Sequence, residues 1–378
     1  KKIILISIGY AHGGPIIGAI MDYASSGVDI DLEEKSVNAL IGSLLPPIRQ
    51  PGTIGAPLGN VGDFSGLIEF GNDALALCAD GVGSKLLLAE SYNKWEGVGI
   101  DCVAMNANDL LCCGAEPLAF VDYLAVPQTN ANLHSLIGRS LSVGVNLARM
   151  TLCGGETATL PDIVKSIDLS GSALGVIPKR ETIRTELIRD GDVLIGLPAS
   201  GFHSNGFSLI RAVLQEINLD LNSNPPFEDD WGFRIDSRKD KSLIEIILEP
   251  TRIYCSPIVD LFQIMRTESN GFNWKHLHGL VHITGGGLEN ILRLRKDVEY
   301  IIDSPLPVPP EMKWLASIGK IDNKEMYRVF NMGMGMMMVV AEEKAKDILN
   351  FLNKHLPGCS IIGLIQSGNG GIYHKNIG

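Results

Sequence analysis

The sequence predicts an α/β (α+β) protein built from two domains. Short apolar runs of strand length alternate with segments of helical periodicity along the chain, and many of these runs end at glycine-rich stretches. The length of 378 residues also favours two domains, because a domain averages roughly 150 residues. We expect an N-terminal domain of sheet and helices over residues 22–178, a C-terminal α/β domain over 179–378, and an N-terminal extension over 1–21.

The elements of the first half follow from the spacing of apolar residues. A short aliphatic run predicts a strand, and apolar residues that recur every three or four positions predict an amphipathic helix. A polar, weakly periodic stretch over 178–189 favours the domain boundary. The predicted strands lie at 75–79, 120–126, 151–153 and 167–177, and the predicted helix lies at 131–149.

The second half repeats the same pattern of strand, glycines and helix. Residues 218–241 are polar, contain two consecutive prolines and carry mixed charges, which predicts an excursion on the surface. The predicted strands lie at 193–197, 281–284, 332–340 and 361–365, the last being the final strand, and helices begin at Leu209 and after the glycines at 285–287.

Composition excludes several classes of function. A formal net charge of -11 argues against a broad nucleic-acid surface, which needs clustered Lys and Arg, but it suits Mg²⁺ as a bridge to phosphates. No uninterrupted apolar run of membrane-spanning length occurs, and glycines break up the apolar N-terminus too early for a secretion signal. The 7 cysteines show no metal-binding spacing, so we expect free thiols in a reducing cytoplasm and no zinc. The lack of a long apolar run likewise predicts no membrane partner.

The first candidate for chemistry is the run Asp80-Gly81-Val82-Gly83-Ser84-Lys85, between a predicted strand and an apolar helical run. Glycines let backbone N–H groups face an anion, and a helix N-terminus adds a favourable partial charge. In this hypothesis Asp80 holds Mg²⁺ and Lys85 meets a phosphate. An Asp-Gly turn followed by a solvated lysine explains the run equally well.

Two further candidates supply carboxylates. If residues 101–109 are helical, Asp101 and Asn108 share nearly one azimuth and Asp109 lies about 100° further round the helix. Such groups beside apolar neighbours favour a bound cation. The alternative is an N-cap aspartate and a polar helix end. The run Gly154-Gly155-Glu156-Thr157 adds a carboxylate and a hydroxyl in what we expect to be a turn at a strand end.

The run from Ser200 to Gly206 contains the best candidate for proton transfer. His203 lies in a predicted loop at a strand end, with Ser204 and Asn205 beside it, and imidazole is the side chain best suited to move protons near neutral pH. A structural histidine is the alternative. The other seven histidines have weaker surroundings and are interpreted as structural: His12, His134, His276, His278, His282, His355 and His374.

These motifs, in this order, resemble the phosphoribosylformylglycinamidine cyclo-ligase family over about residues 22–365. The resemblance includes the runs at 80–85 and 154–158, Gly99-Ile100-Asp101, and Asn108-Asp109-Leu110. It continues through the run at 200–206, Glu249-Pro250-Thr251-Arg252-Ile253-Tyr254, and His282-Ile283-Thr284-Gly285-Gly286-Gly287. Two departures from the family pattern are Ala24, where a lysine is common, and Thr159, where a glutamate is common.

The resemblance implies a homodimer that pairs through its N-terminal sheets. It also implies a reaction in which ATP activates the amide oxygen of formylglycinamidine ribonucleotide and a nitrogen of the same molecule closes the imidazole ring. The implied catalytic residues are His203, Asn205 and Asp101, and the implied Mg²⁺ ligands are Asp80, Asp109 and Glu156. The implied ATP contacts are Asp80, Gly81, Gly83, Ser84, Lys85, Asn108, Gly155 and Thr157.

Two alternatives stay open at this stage. Relatives such as thiamine-monophosphate kinase or selenophosphate synthetase share acidic nucleotide motifs, but should lack the runs at 200–206 and 249–254. A non-catalytic dimer that binds nucleotide is the other, and only Ala24 favours it.

Overall fold

The structure is a computed structural model that describes residues 27, 29–59, 64–217, 219–268 and 271–377. It confirms the mixed α/β class, because it contains two six-stranded sheets, each with its own helices. Ala24 and the extension over 1–21 lie outside the described residues. In the part of the chain that is described, no helix is both long enough and apolar enough to cross a membrane.

The first sheet has the strand order β1-β2-β3-β6-β4-β5. Only β4 and β5 run parallel, and the other neighbouring strands are antiparallel. The strands are β1 Pro57–Leu58, β2 Gly66–Phe70, β3 Asp73–Gly81, β4 Glu116–Val126, β5 Thr151–Thr159 and β6 Asp168–Pro178. The helices are α1 Ile30–Gly42, α2 Lys85–Tyr92, α3 Val98–Cys112 and α4 Ala131–Leu147.

Helix α3 is the core of the first domain, because nearly all of its residues are buried between the sheet and α4. The two helices approach closely at Gly99, where a Cβ atom would lie 2.3 Å from the backbone N of Leu141. The start of α3 is capped from α4, since Ser140 Oγ accepts from the Gly99 backbone N–H at 2.9 Å. This packing fixes the direction in which Asp101, Asn108 and Asp109 leave the helix.

The second sheet has the strand order β12-β9-β11-β7-β10-β8, and β9 and β12 are its parallel pair. All residues of its β10 are buried, as the Met-rich run predicts for a core strand. The strands are β7 Val193–Pro198, β8 Leu277–His282, β9 Val298–Ile302, β10 Met334–Val340, β11 Ser360–Ser367 and β12 Gly371–His374. The helices are α5 Phe207–Glu216, α6 Leu243–Ile247, α7 Cys255–Arg266, α8 Pro310–Gly319, α9 Asn323–Val329 and α10 Ala345–His355.

Three expectations about the elements are wrong. The final strand is β12, because a glycine-containing turn returns the chain to pair with β9. The run at 154–157 is not a turn but the middle of β5, whose pairing with β4 continues to Thr159. The polar stretch at 218–241 is not only a surface excursion, because it buries Trp231 and the Arg234 side chain.

Candidate active site

The candidate site lies between the two domains, where helix α3 and loops of the first domain meet strand and helix ends of the second. The first domain contributes the end of β3 and one side of α3, and the second contributes the loop after β7, the segment before α7 and the end of β8. Three hydrogen bonds cross between the domains: Lys85 donates to Glu249, Asp101 accepts from Thr251, and Asn108 accepts from Tyr254. The motifs that the sequence analysis singled out therefore meet, although they are far apart in the chain.

Lys85 and Asp101 form a buried ion pair that fastens the domains together. The Lys85 ammonium is 1% exposed and lies 2.8 Å from an Asp101 carboxylate oxygen. It also donates to the backbone carbonyls of His203 at 3.0 Å and Glu249 at 2.9 Å. Asp101 in turn accepts from the backbone N–H and the hydroxyl of Thr251, both at 2.7 Å. Burial lowers the pKa of Lys85, and the charge of Asp101 opposes that shift.

This pairing bears on the predicted roles of both residues. The three ammonium protons of Lys85 have protein acceptors in this structure, so the side chain has no free donor for a phosphate. Asp101 has no exposed surface and serves as the acceptor of the interdomain bonds. The ATP contact of Lys85 and the catalytic role of Asp101 stay predictions, but the observed geometry is that of an anchor.

Asp80 and Asp109 come together beside a histidine that the sequence analysis had set aside as structural. His282, the last residue of β8, has Nδ1 2.9 Å from Asp109 Oδ1 and Nε2 3.3 Å from Asn108 Nδ2. Because Asn108 Oδ1 accepts from the Tyr254 backbone N–H, its Nδ2 faces the ring and donates. This arrangement directs the Nδ1–H of His282 at Asp109.

The electrostatics of Asp80 and Asp109 favour a cation between the two carboxylates. Burial and then the charge of Asp109 raise the pKa of Asp80 to about 6. Two carboxylates that repel each other in a partly buried site are stabilised when a divalent ion lies between them. Asp80 and Asp109 thus fit the ligand chemistry of Mg²⁺, whose remaining positions are commonly filled by phosphate oxygens and water.

Glu156 does not join this pair. Along the ladder, Asp80 is in register with Gly171, Asp122 and Gly155 on one face of the sheet. Glu156 is one residue out of phase with that row, so its exposed side chain points to the other face. Across the described parts of the chain, no three His, Cys, Asp or Glu side chains form a metal cluster. The metal role of Glu156 stays a prediction, and in this structure its side chain lies on the opposite face of the sheet from Asp80.

The glycines predicted to contact ATP lie beside the same row. The Asp122 side chain on β4 packs against Gly155 on β5. A Cβ atom at Gly155 would lie 2.2 Å from Asp122 Oδ1, so only glycine fits there. A cavity of 310 Å³ opens next to it, lined by Asp80, Gly81 and Asp122 among others. Thr157 is exposed on β5, two residues further along.

The turn between β3 and α2 provides the remaining predicted ATP contacts. Gly83 has φ +69°, a conformation that favours glycine. Ser84 precedes α2 without capping it by its side chain, and its Oγ lies 3.2 Å from the Ser208 Oγ of the second domain. This turn is also a contact between the domains.

His203 lies deeper than its predicted role requires. It is fully buried, with φ +61°, and its Nε2 accepts from the Ser200 backbone N–H at 3.2 Å. The proton of the neutral ring is therefore on Nδ1, and Nδ1 has no partner among the described residues. Burial, followed by the charges of His282 and Lys85, lowers the pKa of His203 well below its usual value.

Asn205 is the second polar group of this loop without a partner. Its buried Nδ2 has no acceptor in the described structure, and its Oδ1 lies beside Gly285. Ser204, between the two, lies 3.0 Å from the Thr251 hydroxyl, which ties the loop to the anchor at Asp101. The loop therefore holds two free donors, His203 Nδ1 and Asn205 Nδ2.

Comparison with known proteins gives two family matches and many relatives. Residues 62–177 match the family "AIR synthase related protein, N-terminal domain" and residues 189–375 match the corresponding C-terminal domain. Phosphoribosylformylglycinamidine cyclo-ligase of Methanosarcina acetivorans is 41% identical over 351 residues, covering 92% of this chain and 96% of the relative. The enzyme of that name from Thermoplasma volcanium is 40% identical over 313 residues, covering 83% and 86%.

Solved structures with lower identity share the fold. AaThiL complexed with AMPPCP and TMP has a TM-score of 0.58 at 17% identity and covers 92% of both chains. Hydrogenase maturation protein HypE in complex with ATP has a TM-score of 0.56 at 14% identity, covering 92% of this chain and 91% of its own.

Proposed function

This chain belongs to the phosphoribosylformylglycinamidine cyclo-ligase family, and from that premise we propose that it closes the imidazole ring of aminoimidazole ribonucleotide in purine biosynthesis. ATP phosphorylates the amide oxygen of formylglycinamidine ribonucleotide, a nitrogen of the same substrate attacks the activated carbon, and phosphate leaves. The products are aminoimidazole ribonucleotide, ADP and phosphate.

The observation that supports this chemistry best is the meeting of acidic and donor groups from both domains. Asp80 and Asp109 lie beside His282, and His282 and the His203 loop belong to the same electrostatic environment. An ATP-dependent ring closure needs a metal-bound triphosphate next to donors that stabilise a polarised amide. The relatives that match most of this chain are named phosphoribosylformylglycinamidine cyclo-ligase, which makes the assignment specific.

ATP and Mg²⁺ are proposed to bind at the row that begins with Asp80. Asp80 and Asp109 would hold the metal, which would neutralise charge on the transferring phosphoryl group. Gly83 has open space where a side chain would begin, which leaves room for a phosphate beside the turn. HypE and AaThiL, which share the fold, were solved with ATP and AMPPCP.

The donors of the 200–206 loop are proposed to act on the substrate amide. His203 Nδ1–H and Asn205 Nδ2 are buried donors without protein partners, so a polarised oxygen placed between them would gain both hydrogen bonds. The neutral His203 ring can then stabilise the developing charge through the Nδ1–H hydrogen bond, while it keeps its proton. Asp101, through Thr251, keeps this loop in place from the first domain.

A homodimer formed through the first sheet is part of the proposal. One face of that sheet is covered by α3 and α4, whereas the other exposes large apolar side chains. Three side chains on this open face are substantially exposed: Leu77 (45%), Val121 (42%) and Tyr123 (40%). A contiguous apolar face of this kind suits a second copy of the sheet. A cytoplasmic location likewise stays a prediction.

The proposed reaction is tested by measuring ADP formation and phosphate release from ATP with formylglycinamidine ribonucleotide, with thiamine monophosphate and with neither. We expect ADP and phosphate in equal amounts only with the first substrate, in step with formation of aminoimidazole ribonucleotide. ADP formation with thiamine monophosphate, or ATP binding without turnover on either substrate, would contradict the proposal.

A further inference from the structure

The polar segment between α5 and α6 packs against the strand end that leads to His203. We call residues 229–236 the clamp segment. Its Trp231 is 8% exposed and its Arg234 side chain is 3% exposed, although the composition of the segment is that of a solvated loop. A guanidinium is buried at low cost only when all of its donors find acceptors.

Arg234 satisfies that condition with two carboxylates and one backbone carbonyl. It lies 2.6 Å from Asp229 within the clamp segment and 2.8 Å from the fully buried Glu311 at the start of α8. Its Nη1 also donates to the Ser200 carbonyl at 3.3 Å. The first residue of the His203 loop is thereby fixed to a charged cluster in the core.

Trp231 reaches the same loop by a different bond. Its Nε1–H donates to the Ala199 carbonyl at 3.1 Å. That carbonyl and the Ser200 N–H belong to one peptide group, and the Ser200 N–H donates to His203 Nε2 at 3.2 Å. Hydrogen bonds that follow one another through a peptide group strengthen each other. The indole therefore acts on the imidazole through a single rigid amide.

We propose that Trp231 and Arg234 are positioning residues for His203. Trp231 holds the Ala199–Ser200 peptide group through the Ala199 carbonyl, and Arg234 holds the next peptide group through the Ser200 carbonyl. The Ser200 N–H is thereby kept on Nε2, which leaves the single proton of the ring on Nδ1. A histidine whose Nε2 is free exchanges its proton between the two ring nitrogens, and the donor at Nδ1 is then lost part of the time. The proposal rests on the proposed function, because it gives the Nδ1 proton a use.

The test replaces the indole donor and reads the tautomer directly. In Trp231→Phe, imidazole ¹⁵N spectra of His203 should show a mixture of ring tautomers, whereas the unaltered protein shows only the form protonated at Nδ1. The kcat for ring closure should fall about three- to tenfold, the usual weight of one hydrogen bond, with the KM for ATP unchanged. Trp314→Phe is the matched control, because Trp314 packs on Phe227 and makes no bond to the loop.

Two outcomes would overturn the proposal: an unchanged tautomer in Trp231→Phe, or an equal effect in Trp314→Phe. Should Trp231→Phe fail to fold, a tryptophan analogue at position 231 with sulfur in place of the indole N–H removes the donor and keeps the shape. His203→Ala separates the two levels of the account. Full activity of that variant removes the proposed function of His203, whereas an inactive His203→Ala with an unmoved tautomer in Trp231→Phe contradicts only the positioning.

Discussion

At the scale of single residues, contacts that form only in the fold set the roles of Lys85 and His282. Lys85 follows a glycine-rich turn, a position that suggested a phosphate contact, yet its ammonium is buried against Asp101 and two carbonyls. Asp101 lies 16 residues further along the chain, and the two carbonyls lie more than a hundred residues away, so the local spacing does not reveal that these groups surround the ammonium. His282 was missed for the same reason, because Asp109 approaches it only in the fold.

Lys85→Met tests the anchor. We expect the free energy of unfolding to fall by about 3–5 kcal/mol, because Asp101 would be left buried and unpaired. The matched control is Lys94→Met, whose partner Glu245 is partly exposed and which should lose no more than about 1 kcal/mol. Urea unfolding of both variants measures the difference, and equal losses would mean that the buried pair does not hold the domains together.

Asp109→Asn tests the proposed metal ligand. The amide oxygen can still accept from His282 Nδ1, so the change removes charge while it keeps the hydrogen bond. Mg²⁺-dependent ATP binding should weaken by about tenfold or more, since even residues that only orient metal ligands contribute roughly 10–100-fold. Titration of ATP against the variant at several Mg²⁺ concentrations checks this, and an unaltered magnesium dependence would remove Asp109 from the site.

His203→Ala tests the hydrogen-bond donor at His203 Nδ1. Ring closure should slow by roughly 10²–10³-fold, the typical effect of losing one preorganised donor. ATP binding should persist, because the substitution leaves the His203 backbone carbonyl in place. Lys85 can therefore still donate to it and hold the two domains together. Turnover assays beside ATP titrations separate the two effects, with His134→Ala on the surface helix α4 as the control.

At the scale of elements, most strands and helix α4 could be predicted, because each carries a regular apolar pattern, whereas α3 is buried nearly all round and lacks a single apolar face. The failures occur where long-range pairing overrides local signals. The glycines at 154 and 155 are typical of a turn, but pairing with β4 holds them in an extended edge strand. The clamp segment has the composition of a loop, and only its distant partner Glu311 explains why it is buried.

His374 on β12 gives the C-terminal edge of the second sheet a predictable response to pH. It has no exposed surface and its ring stacks 4.2 Å from Tyr327. Burial lowers its pKa to about 4, so the unfolded chain takes up the proton first, and stability should fall as the pH drops from about 6.5 towards 4.

His374→Asn should reduce this loss, because asparagine keeps an acceptor for the Asn376 N–H without a titrating ring. The expected difference is at most about 2 kcal/mol between pH 7 and pH 5, from the usual histidine pKa. Urea unfolding at the two values measures it. The variant keeps some pH dependence, because His203 shifts in the same direction. A full, unchanged dependence would show that His374 takes no part in it.

At the scale of the whole molecule, the open face of the first sheet decides whether the protein pairs. Leu77→Lys should convert the proposed dimer to a monomer, because it places a charge in the apolar face. Leu147→Lys is the control, with similar exposure (44%) on α4 at the other side of the sheet. Light scattering after gel filtration reports the mass, and a monomeric unaltered protein would contradict the proposed pairing.

The whole account depends on direct transfer of a phosphoryl group from ATP to the substrate amide, in a site that both domains build. The most direct measurement follows the oxygen atom. With ¹⁸O in the formyl amide of formylglycinamidine ribonucleotide, each turnover should deliver one labelled oxygen to the released phosphate. Phosphate without the label, formed while aminoimidazole ribonucleotide accumulates, would show that ATP does not activate the amide in this way.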